Sequence, residues 1–203
     1  MSDETMNDWD DLETPSAERW RRDLETDRAM GLDRALEHGG FDPMRPLPEG
    51  VWRASREVSL AHRVRCTRMV TYLCRDAATA MLGDWALRHL AGLAEARLRL
   101  RVDAPHWTLT ALDGARRDGR GRWDADCIPD AIWRASWGDV ALEYDAGSHR
   151  LSMVAQKARR YRRDCAGQVW LAATAERQSG LARVLEQTLP ERWTWRTLRV
   201  EGW

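Results

Sequence analysis

Lysine is almost missing from this 203-residue chain: Lys157 stands alone against thirty-one arginines. When nearly every cation is written as arginine, the exception is either chance or a position that arginine cannot fill. Lysine is a compact point charge on a flexible stem and arginine a planar fork, so beside a reacting phosphate the two are not interchangeable. The plainer account is an ordinary solvated helix residue. Cysteine is also sparse: Cys66, Cys74, Cys127 and Cys165 form no CxxC pair, which argues against a zinc site and for unpaired thiols in a reducing cytoplasm. The five histidines form no HExxH cluster, so a structural metal is not expected. No apolar run approaches the roughly 18 residues of a membrane span. No charged segment followed by an apolar one opens the chain, so no secretory signal is expected either.

What is present suits one domain with a small appendage, since 43% hydrophobic content is enough for a real core. The net charge of zero hides an asymmetry: residues 1–50 hold fourteen acids against six arginines, and residues 51–203 hold twenty-six cations against eighteen acids. An acidic head precedes a basic body. Residues 1–16 have the polarity of a disordered tail, which could solubilise the chain or lie over a basic surface. Residues 17–50 predict one or two helices, with Trp20, Leu24, Leu32 and Leu36 at mostly helical spacing, Ser16 as a cap and Gly39-Gly40 as a stop. The linker FDPMRPLPEG follows, with three prolines.

In residues 51–122, the run VSLAHRVRCTRMVTYLCRDAATAML predicts a long amphipathic helix with Leu60, Val64, Met69, Val70 and Leu73 as its buried stripe. A second helix, DWALRHLAGLAEARL, comes next. The stretch RLRVDAPHWTLTALDGARRDGR then alternates about a turn at Asp103 to Pro105, like a two-stranded wing. Helices followed by such a hairpin resemble a winged-helix module. The alternative is a helical layer and a hairpin packed on the sheet that follows.

Residues 123–203 read as strand, strand, helix, strand, helix, strand, an α/β core. CIPDAIWRA and GDVALEYDA are separated by a turn at Ser136 to Asp139. In SHRLSMVAQKARRYRRD, Leu151, Val154, Ala158, Tyr161 and Cys165 recur at spacings of three and four, giving a helix with one apolar face. QVWLAAT is nearly all apolar, as expected of a strand covered on both sides. AERQSGLARVLEQTL is a second helix and WTWRTLRVEGW a last strand at an edge.

Strand alternation gives Glu143 and Asp145 one face and Leu142 and Tyr144 the other. Asp130, on the neighbouring strand, aims at the same point if the two strands pair. Converging carboxylates repel unless a cation joins them, and hard oxygen donors in that number suit Mg²⁺. Lys157 could then reach over the site from the following helix, completing equipment for phosphodiester hydrolysis. A wholly structural reading instead makes Glu143 and Asp145 exposed strand residues and puts Asp130 in a turn.

Pro129-Asp130, Glu143-Tyr144-Asp145 and a helix with Lys157 and Tyr161 resemble the core of the PD-(D/E)XK nuclease-like superfamily. The wider stretch from about His62 to Leu185 resembles the plasmid replication-relaxation family. The resemblance implies a restriction-endonuclease-like α/β fold, a mixed sheet flanked by helices, with DNA as partner and plasmid or mobile-element replication as setting. It also implies Asp130, Glu143, Asp145 and Lys157 as catalytic candidates, and Asp130 and Glu143 as ligands of Mg²⁺ if the core is active. The family pattern places its lysine two residues after the glutamate, where this chain has Asp145. Either Lys157 reaches in from the helix or the core no longer cuts.

DNA contact has its own candidates. Arg159, Arg160 and Arg163 lie on the outer face of the Lys157 helix, and Arg116, Arg117, Arg120 and Arg122 form a second cluster. Such cations track phosphates and give salt-sensitive affinity, although an arginine-rich composition also produces solvated charged faces. The expected function is therefore a DNA-binding protein with a nuclease-like core, active as a metal-dependent endonuclease or not. The competing expectation is a non-catalytic winged-helix regulator or protein-interaction module.

Overall fold

The computed structural model describes residues 19–59, 67–110, 128–147 and 149–200. The acidic tail, Ser16 and the cluster Arg116, Arg117, Arg120 and Arg122 lie outside them. Helix α1 (Arg19–Asp27) buries Trp20 and Leu24 one turn apart. A three-residue strand, β1 (Ala29–Gly31), leads into α2 (Leu32–Gly39). That helix stops at Gly40, whose left-handed backbone (φ 64°) lets its N–H reach the Ala35 carbonyl. The stop read from the glycine pair is thus the one that forms. Phe41 then packs edge-on against Trp20, with centroids 5.1 Å apart.

The long helix expected over residues 58–82 is not what the described residues form; Leu60 and Val64 of its expected stripe lie outside them. Instead β2 (Trp52–Ser59) and β3 (Thr67–Cys74) pair antiparallel, with β1 on the other side of β3, and among the described residues of this stretch only Ala77–Ala80 (α3) is helical. The period of two outweighs the period of 3.6 here: Val70, Tyr72 and Cys74 alternate into the core, where Ala54 and Val58 of β2 join them in one cluster. Thr67, Val70, Thr71 and Tyr72 are also the branched and aromatic types that suit a pleated surface. Asp76 ends the strand and caps α3, accepting from the Thr79 N–H at 2.7 Å.

The second expected helix is present as α4 (Asp84–Leu100). It is buried nearly all round because it lies between two sheets. Leu87, Leu90 and Ala91 pack on the three-stranded sheet, while Leu93 and Ala96 pack on a five-stranded one. Where the wing was expected, Arg99 and Leu100 still belong to α4, Ala104–His106 form a 3-10 turn, and a short strand, β4 (Trp107–Leu109), joins the outer edge of the large sheet; residues 111–120 of the expected wing lie outside the described residues. Among the described residues, α4 forms a helical layer on the large sheet.

The large sheet has the order β4-β5-β6-β7-β8, with β5 (Ala131–Ala135), β6 (Gly138–Asp145), β7 (Gly167–Ala172) and β8 (Thr194–Arg199). Its first three strands run antiparallel and β6, β7 and β8 run parallel. The parallel crossovers are α5 (Leu151–Asp164) and α6 (Ala175–Thr188). This is the element order read from the sequence, with β7 buried throughout and β8 at the edge. Val154, Ala158, Tyr161, Leu181 and Leu185 cover one face of the sheet, and α4 covers the other. The fold is therefore mixed α/β, with a five-stranded mixed sheet and a three-stranded antiparallel sheet flanked by helices. Among the described residues no helix is long and apolar enough to cross a membrane.

The amino-terminal helices are tied to α4 by buried charge. Arg97 donates to Asp27 at 2.8 to 3.0 Å, to Asp23 at 2.5 Å and to the Val102 carbonyl at 3.0 Å. Glu95 accepts from both Arg34 and Arg99. Each buried charge thus has its counter-charge and directed hydrogen bonds, without which burial would carry a large desolvation cost.

Candidate functional site

The large sheet brings the sequence-selected carboxylates to one end. Antiparallel pairing sets Ala131 opposite Leu142, so Asp130, one residue before β5, falls beside Glu143. Its position is fixed at two points: the Thr110 N–H donates to the Asp130 carbonyl at 3.0 Å, and the Tyr144 N–H donates to its side-chain oxygen Oδ2 at 2.8 Å. Glu143 projects to the α5 side, because its neighbours Leu142 and Tyr144 alternate into the α4 side.

Helix α5 closes over Glu143. Lys157 and Tyr161 are four residues apart and so share a face; Lys157 Nζ donates to Glu143 Oε1, and the Tyr161 hydroxyl donates to Oε2 at 2.6 Å. Glu143 is 1% exposed and the Lys157 side chain 15%. The reading of Lys157 as a solvated residue and of Glu143 and Asp145 as exposed strand positions therefore gives way. All three are drawn inward.

Asp145, wholly buried, turns to different partners. The Gly147 N–H donates to Oδ1 at 2.6 Å, Arg177 of α6 donates to Oδ2, and the His149 ring nitrogen Nδ1 lies 3.9 Å from Oδ1. The same Arg177 nitrogen donates to the His149 carbonyl at 2.6 Å.

Electrostatics separate these acids. Burial raises the pKa of Asp130 despite the Tyr144 N–H and the nearby Lys157 charge. Burial raises Glu143 too, the Asp130 charge adding to the effect, with Lys157 and Tyr161 opposing it. Asp145 goes the other way: burial would raise its pKa, but His149, Arg177 and the Gly147 N–H together hold it below the usual carboxylate range. Asp130 and Glu143 are thus two repelling acids that share the single Lys157 charge, so that a further cation would relieve them, whereas Asp145 has Arg177 to itself.

The donor chemistry fits a two-carboxylate Mg²⁺ site, because that ion is held by one or two carboxylates and keeps water or substrate phosphate for its remaining positions. A cage of protein ligands is not present: among the described residues no group of three or more His, Cys, Asp and Glu is placed to hold a metal ion. Of the proposed DNA contacts, Arg159 and Arg163 are exposed on α5, and Arg160 lies 3.9 Å from Asp164. Sequence reasoning left Arg177 and His149 out of the site. No spacing signal links Arg177 to Asp145, thirty-two residues earlier and on another element, whereas Tyr161 was legible as the residue one turn beyond Lys157. Comparisons with protein-family models, curated proteins and solved structures find no match to this chain.

Proposed function

We propose that this chain is a DNA-binding protein with a restriction-endonuclease-like, PD-(D/E)XK core that hydrolyses phosphodiester bonds with Mg²⁺ held by Asp130 and Glu143. The replication-relaxation resemblance makes plasmid or mobile-element replication its setting. One observation carries the reading: the chain's single lysine, on α5, reaches the buried carboxylate whose neighbour across the sheet is Asp130. The mixed sheet between helical layers is the kind of scaffold the resemblance implies.

A bound divalent ion would supply charge neutralisation at the phosphate and acidify an attacking water. The chain's own residues do the rest. Tyr161 holds the Glu143 carboxylate in one orientation, and the Tyr144 N–H does the same for Asp130. Lys157 brings a positive charge to where negative charge develops on the phosphate. The exposed Arg159 and Arg163 would track the DNA backbone.

A second reading has an observation of its own. Both Glu143 oxygens already accept bonds from Lys157 and Tyr161, a self-satisfied arrangement that would also suit a core which binds without cutting. Nicking of supercoiled plasmid with Mg²⁺ or Mn²⁺ separates the two. Expected are nicking by the wild type, its loss by roughly 10²-fold or more in Lys157→Ala, Lys157→Arg and Glu143→Gln, and unchanged DNA affinity. A wild type that binds DNA and never nicks it favours the second reading. Arg159→Ala and Arg163→Ala should each flatten the salt dependence of binding by about one counterion; absence of salt-dependent binding would remove DNA as the partner.

A further inference from the structure

We infer that Arg177 is a positioning residue: through Asp145 and the His149 carbonyl it fixes the start of α5 and so sets where Lys157 meets Glu143. Three observations support this clamp. Thr174 caps α6 and accepts from the Arg177 N–H at 3.1 Å, so the backbone that carries the guanidinium is itself held. The guanidinium then joins the last residue of β6, Asp145, to the His149 carbonyl, one residue ahead of the α5 N-cap. That N-cap is Arg150, which makes no side-chain capping bond. The first turn of α5 therefore relies on bonds from outside the helix to fix its entry.

Lys157 lies two turns into the same rigid helix, on the face that meets Glu143. A shift at the helix start is carried to its amine, since a helix moves as a body over so short a length. Misplacing a reacting group by about 1 Å costs on the order of 10²-fold in rate. In this arrangement Asp145, at the place where the nuclease pattern has its lysine, has exchanged a catalytic role for a mechanical one.

The inference rests on the proposed function for the importance of Lys157, but its test does not need cleavage. Because Lys157 is the only lysine, acetylation of its peptide by acetic anhydride, read by mass spectrometry, reports that one amine apart from the amino terminus. In Arg177→Gln and in Asp145→Asn its labelling should rise by about tenfold as the helix start loosens. Val184→Ala, a trimming of α6 where it packs on the core, should lower stability without changing the labelling. Should Arg177→Gln fail to fold, Asp145→Asn, which keeps the shape of the side chain, decides alone. Unchanged labelling in the clamp variants, or an equal rise in Val184→Ala, overturns the inference. In the nicking assay Arg177→Gln should lose rate while keeping DNA affinity. A wild type that does not nick sinks the nuclease reading and leaves the labelling result standing.

Discussion

Replacing Gly92 by alanine sets two physical rules against each other. Gly92 lies in the interior of α4, where alanine is favoured over glycine by about 1 kcal/mol. By propensity alone Gly92→Ala should stabilise the protein. Yet a Cβ built there would lie 2.6 Å from both Cδ2 and Cε2 of Tyr144 and 3.2 Å from Cζ. Carbon atoms are comfortable at about 3.5 to 4.0 Å, so the ring would have to retreat by roughly 1 Å. It has little room, being fully buried and packed edge-on to His89 with centroids 4.9 Å apart. Overpacking of this kind costs about 1 to 3 kcal/mol. With the upper half of that range set against the propensity gain, Gly92→Ala should lose about 1 to 2 kcal/mol. Urea unfolding followed by circular dichroism, and the melting temperature, read this directly. Tyr144→Leu should cost less in the Gly92→Ala background than in the wild type, because the smaller side chain relieves the clash. A Gly92→Ala protein more stable than wild type, or strict additivity in that cycle, would refute the reasoning. The site should feel the same change, since the Tyr144 N–H supports Asp130 and Glu143 is its neighbour in the chain.

Two further perturbations test the packing around α4. Burial holds the His89 pKa down near 4, against an ordinary value of 6.5. The unfolded chain therefore binds the proton first, and the contribution of His89 is full above about 6.5 and lost as the pH falls towards 4. The stability difference between wild type and His89→Gln should shrink by up to about 3 kcal/mol between pH 7 and pH 4; a difference constant with pH would count against a neutral buried imidazole. Arg97→Met should cost about 3 to 5 kcal/mol in denaturant unfolding, because it strands the buried Asp27 carboxylate. Asp27→Asn in the same background should recover part of the loss, and no recovery would mean that the pair is not the source of the cost.

The parts of the fold that were legible were those whose period and punctuation agree. From Ala131 to Arg199 the turn at Ser136, the alternating strands and the three-and-four spacing of α5 all point the same way, and the elements form in the order read. Residues 58–82 misled because Met69, Val70 and Leu73 satisfy a helical stripe while Val70, Tyr72 and Cys74 satisfy a strand. The tie was broken by pairing with Trp52–Ser59, which no local window contains. The site divides in the same way. Glu143 follows from strand alternation, and Lys157 and Tyr161 from a shared helical face, so their meeting was foreseeable. The approach of Arg177 to Asp145 depends on how two crossover helices settle on one sheet, and it left no trace in the spacing.

The burial of α4 between two sheets has a consequence for how the chain can be divided. Leu142, Tyr144, Val169 and Leu171 find their cover on a helix that ends before the five-stranded sheet begins. A fragment starting near residue 123 would retain every candidate catalytic side chain and still present a bare apolar wall to water, inviting self-association. During synthesis the order is favourable, because β1 to β3 and α4 all precede the later strands in the chain, so α4 can serve as the template on which those strands assemble. The candidate site lies in the second half of the molecule, but the surface on which that half packs is made by the first.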